Sequence, residues 1–236
     1  MSPGRSRQLV FDLPHRSALS REDFLVTESN AAAVALIDSW PRWPSSAVLL
    51  LGPPGSGKSH LVEVWRAASG AARIPADELE AERVPKLVSS GAVAVEDLPG
   101  KKLDQRGLFH LLNYAREKNA RVLLTSTSPA VAWNISLPDL ASRLKAASTI
   151  SLAIPDDELL QGALLKQFSD RQIKVDHAIV SYILTRMPRS MEAARTIVAA
   201  IDAAALEERA EVTRPFVAKV LADYSEPALF DDPSNS

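Results

Sequence analysis

Short apolar runs separated by longer amphipathic stretches dominate the middle of the chain. Val48-Leu49-Leu50-Leu51, Ala92-Val93-Ala94-Val95, Val122-Leu123-Leu124 and Thr149-Ile150-Ser151-Leu152-Ala153-Ile154 read as strands, and Lys58 to Ala68 and Asp104 to Lys118 read as helices between them. A run without polar alternation is what a strand shows when both of its faces are covered, and the intervening helices supply the cover. The pattern predicts a doubly wound α/β domain built on a parallel sheet.

Past Pro155 the pattern changes. Helical segments follow near Asp156 to Ser169, Asp176 to Met187, Ser190 to Arg209 and Thr213 to Asp223, with no further strand. Thr213 before Arg214-Pro215 reads as a helix start, because a hydroxyl caps free amides and proline is tolerated in the first turn. These segments predict a small all-helical unit. Met1 to Arg21 carries four arginines against one acid and no sustained periodicity, whereas Tyr224 to Ser236 is acidic and polar with two prolines. Such composition suits an arm and a tail. The expected division is an arm over 1–21, an α/β domain over 22–155, a helical unit over 156–223 and a tail over 224–236.

Composition narrows the functions open to this architecture. The 236 residues are 46% hydrophobic, enough for a real core. With 27 basic against 29 acidic residues the formal charge is −2. No global positive field exists to hold a polyanion, so strong direct DNA binding is not expected. The absence of cysteine excludes disulfides, thiolate metal sites and cysteine nucleophiles, and agrees with a reducing cytosol. No apolar run reaches the roughly 18 to 20 residues that span a bilayer, and Met1 to Ser20 lacks the apolar stretch of a signal peptide. A cytoplasmic protein without membrane association is expected.

The sharpest chemistry follows the first apolar run. Leu49-Leu50-Leu51 leads into Gly52-Pro53-Pro54-Gly55-Ser56-Gly57-Lys58-Ser59 and then a helix. This is G-x-x-x-x-G-K-S between a strand and a helix, the context the phosphate loop requires. Glycines let the backbone curl so that its amides point inward, and the helix N-terminus adds partial positive charge. Lys58 would reach the β- and γ-phosphates of ATP or ADP, and Ser59 would ligate Mg²⁺.

Phosphoryl chemistry also needs acids beside the metal. Val93-Ala94-Val95-Glu96-Asp97 supplies a pair at a strand end, a Walker B segment in which Glu96 would bind the Mg²⁺ shell and Asp97 would polarise an attacking water. Such modules usually show Asp-Glu or Asp-Asp there, so the division of roles stays open. A polar cluster ending in Thr127, Leu124-Thr125-Ser126-Thr127, stands where a γ-phosphate sensor belongs, although serine and threonine commonly end strands. Trp40 and Trp43 could stack on an adenine; packing on the domain edge suits them better, since aromatics serve cores far more often.

Four further segments carry a family resemblance: Gly57-Lys58-Ser59-His60, Leu137-Pro138-Asp139-Leu140-Ala141-Ser142-Arg143-Leu144, Ile154-Pro155-Asp156-Asp157-Glu158 and Arg189-Ser190-Met191-Glu192-Ala193-Ala194. Over nearly its whole length the chain resembles the AAA+ branch that contains the replication initiator DnaA. Within that branch it is similar to the short Hda type without a DNA-binding domain. About 47 residues follow Arg189, and they hold no helix-turn-helix with a basic recognition helix.

The resemblance implies an AAA+ P-loop domain followed by a helical lid, with His60 beside the bound nucleotide. Arg143 looks like the arginine finger that reaches a neighbouring subunit's nucleotide, and Arg189 like the lid arginine, sensor 2. Gln8-Leu9-Val10-Phe11-Asp12-Leu13-Pro14 is similar to the clamp-binding peptide of the Hda type. There Gln8 would be held by hydrogen bonds while Leu9, Phe11 and Leu13 offer apolar anchors to the DNA polymerase sliding clamp. The same alternation would also suit an edge strand packed on the chain's own domain.

The implied function is a regulator of replication initiation that docks on the clamp, engages ATP-bound DnaA and promotes hydrolysis of its ATP. Homo-oligomers are compatible with the same face. Two departures, Thr127 in place of the family's aspartate and Glu96 at the start of Walker B, leave the chain's own hydrolysis open. A DnaA-like or helicase-loading adaptor is the alternative, and a P-loop small-molecule kinase is a more distant one.

Overall fold

The computed structural model describes residue 21 and residues 24–224. Five strands, β1 (Ala47–Leu51), β2 (Ala72–Pro75), β3 (Ala92–Leu98), β4 (Arg121–Ser126) and β5 (Ser148–Ser151), form one sheet in the order β2-β3-β4-β1-β5. Every pairing is parallel. Helices α1 (Ala31–Asp38), α2 (Lys58–Ser69), α3 (Val84–Val88), α4 (Gln105–Glu117) and α5 (Pro138–Ala146) belong to the sheet domain. Next come α6 (Asp157–Asp170), α7 (His177–Leu184), α8 (Met191–Glu208) and α9 (Arg214–Tyr224), which form the helical unit.

The unbroken apolar runs have the predicted cause. Alternate residues of each strand point to opposite faces, and both faces are covered. Val93, Val95, Val122 and Leu124 pack with Leu108, Leu111 and Ala115 of α4 and Leu140 and Leu144 of α5. On the other face Val48, Leu50, Ala94 and Leu123 meet Val34 and Ile37 of α1 and Leu61, Val62 and Trp65 of α2. Each such leucine or valine contributes about 1.5 to 3 kcal/mol on burial, which ties helices and sheet into one layered unit. Trp43 stacks on Trp65 with ring centroids 5.0 Å apart, and Trp40 packs against the same cluster. The tryptophans serve the core.

A separate apolar cluster holds the helical unit, with Leu164, Phe168, Val180, Ile183, Ile197, Val198, Ile201 and Val217 at its centre. Its helices start at polar caps: Asp156, Asp176 and Ser190 accept from the amides of Leu159, Ile179 and Ala193 at 2.7, 2.8 and 2.9 Å. Asp104 caps α4 in the same way. Thr213 accepts a longer bond, 3.4 Å, from Phe216 at the start of α9.

Three differences from the sequence reading have physical reasons. The strand expected over residues 149–154 is β5, which ends at Ser151. Leu152 still donates to Leu51 O, but Ala153 turns away and donates to Ser29 O, so the chain leaves the sheet. The helix expected from Asp176 to Met187 stops at Leu184, where the Thr185 hydroxyl bonds the Tyr182 carbonyl. Elements β2, α1, α3 and α5 are additional; only Ile74 of β2 is buried, so that strand has no apolar run to reveal it.

Candidate functional site

Strand order builds the site. Because β4 lies between β1 and β3, the polar end of β4 sits between the loop that leaves β1 and the acids that end β3. In open parallel sheets ligands bind at the carboxyl ends of the strands. Here that end carries residues 52–59, Glu96, Asp97 and Thr127 on adjacent strands.

The loop after β1 turns through Gly55 and Gly57 at φ +71° and +98°, a region other residues enter at a cost, and α2 begins at Lys58. A side-chain carbon at Gly57 would meet nothing within 4 Å. Lys58 is buried and its ammonium donates to the carbonyls of Gly52 and Pro53 at 2.8 and 3.0 Å. Burial lowers the Lys58 pKa below its ordinary value, against the opposing pull of Asp97 and Glu96. Ser56 is buried with its hydroxyl unpartnered, an unsatisfied polar atom at the heart of the loop. Ser59 is exposed in the first turn of α2, and His60 meets Phe24 edge-on at 4.8 Å.

At the end of β3 the register slips. Val95 pairs with Leu124 but Leu98 pairs with Ser126, so an extra residue of β3 is accommodated over Glu96 and Asp97. Such a bulge re-aims side chains. Asp97 takes φ +63°, is exposed, and donates its amide to Thr125 Oγ1 at 3.1 Å. Glu96 is 2% exposed and its carboxylate lies against the Arg73 guanidinium of β2. Thr127 is exposed just past β4; Thr125, buried two residues earlier, is the threonine that touches the acid pair. The Ser126 hydroxyl lies within hydrogen-bond distance of both Leu98 O and Ser128 O, with one proton to share between them, and accepts from Ser128 N, tying the two strand ends together.

The helical unit reaches this site at two places. Met191 donates its amide to Gly55 O at 2.8 Å, and a side-chain carbon at Gly55 would lie 2.3 Å from Ser190 Cβ. Asp156 accepts from the amide of Ser29 at 3.4 Å while it caps α6. Burial raises its pKa, but the bonds from Leu159, Thr27 and Ser29 outweigh this and hold it below the ordinary carboxylate value. Residues 24–30 are thus part of the joint, a role the sequence reading missed. Asn30, buried at the start of α1, accepts from Thr27 N and donates to Leu25 O, fixing the segment's shape. Serine and asparagine before an alanine-rich run were the available signal.

The two arginines lie on different units, Arg189 just before Ser190 on the lid and Arg143 on α5. Arg189 pairs with Asp157 at the start of α6, at 2.9 Å and half exposed. Arg143 is half-buried on α5, in a shallow recess with His110, Asn113, Tyr114, Arg116 and Glu117 of α4. Gln8, Leu9, Phe11 and Leu13 lie outside the described residues. Among the described residues no helix is long and apolar enough to cross a membrane.

Comparison with known proteins bears on this arrangement directly. Residues 156–221 match the family model described as the lid domain of Hda. Domain III of the Thermotoga maritima replication initiation protein DnaA superposes with a TM-score of 0.73 at 16% identity, over 89% of this chain and 98% of that one. The chain has an AAA+ fold with an Hda-type lid.

Two other solved structures agree in fold. AMPPCP-bound DnaA from Aquifex aeolicus gives a TM-score of 0.63 at 16% identity, over 79% of this chain and 65% of that one. The Thermotoga maritima RuvB Holliday junction branch migration motor gives 0.68 at 15%, over 86% and 71%. The sheet domain thus shares the fold of these proteins, and the helical unit is similar to the Hda lid.

Proposed function

We propose that the chain is a nucleotide-dependent regulator of replication initiation, which binds ADP or ATP with Mg²⁺, docks on the sliding clamp and promotes hydrolysis of ATP held by DnaA. The observation that carries the reading is an Hda-type lid whose Met191 and Ser190 sit directly on a complete phosphate loop.

The residues present fit a nucleotide and its metal. Ser56 Oγ is a buried polar atom in want of a partner, Gly57 borders open space, and Lys58 is a buried cation held by carbonyls that a phosphate oxygen would outbid. Mg²⁺ takes one or two protein oxygens together with phosphate oxygens and water, and would neutralise charge on the phosphates. Ser59 and Glu96 would hold it here. Asp97 would orient a water and Thr127 would face the terminal phosphate, while His60 stands at the start of the same helix.

Arg189, on the lid beside the loop, would exchange Asp157 for nucleotide phosphate. Arg143 borders α4 rather than the phosphate loop, which supports a duty toward the nucleotide of another AAA+ subunit, DnaA or a second copy. Gln8, Leu9, Phe11 and Leu13 would tether the chain to the clamp.

Binding of the purified protein to the cognate sliding clamp, with ADP, ATP or no nucleotide, tests the tether. The variant with alanine at Gln8, Leu9 and Phe11 should lose it. Failure of the wild type to bind under every nucleotide condition would move the reading to a DNA- or helicase-associated adaptor.

A further inference from the structure

Glu96 raises a question its neighbours answer. A carboxylate 2% exposed must be paired, because an isolated buried charge is costly. Its cation is Arg73, which comes from the adjacent edge strand: Arg73 pairs in register with Ala94, two residues before Glu96 on the same face. The guanidinium is not given to Glu96 alone. Arg73 also donates to Glu63 of α2 at 3.2 Å, and Glu63 is gripped from its other side by Arg66 at 2.7 and 2.8 Å. A four-member chain of charge, Arg66-Glu63-Arg73-Glu96, therefore runs from the surface of α2 to the acid beside Lys58. Its one deeply buried member is Glu96; the Arg73 side chain is 45% exposed.

We propose that Arg73 is a positioning residue that competes with Mg²⁺ for Glu96, so that divalent metal enters the site only by drawing Glu96 out of this ion pair. The proposal rests on the metal-shell reading of Glu96. Two cations attracted by one carboxylate oppose each other, so a guanidinium already in contact weakens the carboxylate's hold on a metal. Glu63 sets how hard Arg73 pulls, since it claims part of the same fork of donors. The arrangement gives Glu96 a counter-charge without metal, although its oxygens have no hydrogen-bond donor, and raises the metal concentration at which the site fills. On this arrangement the chain's own hydrolysis would need more Mg²⁺, whatever the order of Glu96 and Asp97.

The test is the Mg²⁺ concentration that half-saturates the metal-dependent gain in binding of a fluorescent ATP analogue to the full chain, with metal-free binding recorded beside it. Glu96→Gln should raise that concentration about tenfold, whereas Arg73→Gln should lower it severalfold and leave metal-free binding unchanged. Glu63→Gln, which leaves Arg73 to Glu96 alone, should raise it. A merely structural Arg73 would change thermal stability without moving the Mg²⁺ midpoint.

No change in Glu96→Gln would sink the metal-shell reading itself. A rise in Glu96→Gln with an unchanged or raised midpoint in Arg73→Gln would overturn the competition and leave that reading standing. Should Arg73→Gln fail to fold, Glu63→Gln decides alone: a rise supports the proposal and an unchanged midpoint overturns it.

Discussion

The amide of Asp97 is donated to the hydroxyl oxygen of Thr125 at 3.1 Å, across the bulge that ends β3. This bond connects Glu96 and Asp97 to the strand that separates them from the loop after β1. It also compensates a backbone conformation, φ +63°, that aspartate tolerates better than most residues but does not prefer.

Thr125→Val keeps the shape of the side chain and removes the acceptor. Leaving the Asp97 amide without it should cost about 1 to 3 kcal/mol, measured as a lower urea midpoint at unchanged slope. Because the bulge then relaxes, ATP turnover should fall with little change in nucleotide affinity.

Lys58 carries a pH dependence whose sign is fixed. Burial places its folded pKa below the ordinary lysine value. The unfolded chain therefore holds the proton longer, and the Lys58 contribution to stability rises with pH from the lowered folded value up to about 10.5. Phosphate binding through Lys58, as proposed, would run the other way, since it would require the ammonium. Nucleotide affinity should fall as pH climbs through that window, and Lys58→Ala, losing about 1.5 to 3 kcal/mol of charged hydrogen bonding, should abolish the fall. Titration with a fluorescent ADP analogue at several pH values checks both.

Asp156 joins the lid to residues 27–29 and caps α6 at once. Asp156→Ala should cost about 1 to 2 kcal/mol from the cap, read by thermal unfolding. With its pKa held below the ordinary aspartate value, Asp156 stabilises the fold above about pH 4 and loses that contribution as pH falls through the folded value. The variant should show a shallower acid limb than the wild type.

The two glycines of the loop should respond differently. Gly57→Ala meets open space and carries only the strain of φ +98°, about 1 to 2 kcal/mol. Gly55→Ala adds a collision with Ser190 to its own positive φ, so it should destabilise the chain further and make the lid more sensitive to limited proteolysis. Equal sensitivity in the two variants would contradict the contact between lid and loop.

What sequence can show of this fold follows burial. Val48 to Leu50 and Val93 to Val95 are legible because both faces of the sheet are covered, and Asp156, Asp176 and Ser190 are legible because a cap uses one side chain at a fixed offset. β2 is hidden because an exposed arginine occupies a four-residue edge strand. That arginine then proves to be the partner of Glu96, a long-range ion pair no local pattern announces. Thr127 is the residue that spacing singles out at the end of β4, whereas the bulge brings Thr125 against Asp97. A register slip depends on two strands at once and has no signature in either alone.

The most direct test of the account is single-turnover hydrolysis of ATP preloaded on DnaA, in the presence of this protein and DNA-loaded clamp, with wild type beside Arg143→Ala. Arg143 lies on α5 in a recess against α4 whose lining includes none of the residues assigned to nucleotide. The variant should therefore bind nucleotide normally. The account predicts that wild type accelerates the turnover and that Arg143→Ala loses roughly 10³-fold of it, the scale of a missing arginine finger. Acceleration preserved in Arg143→Ala, or absent in the wild type, would contradict it.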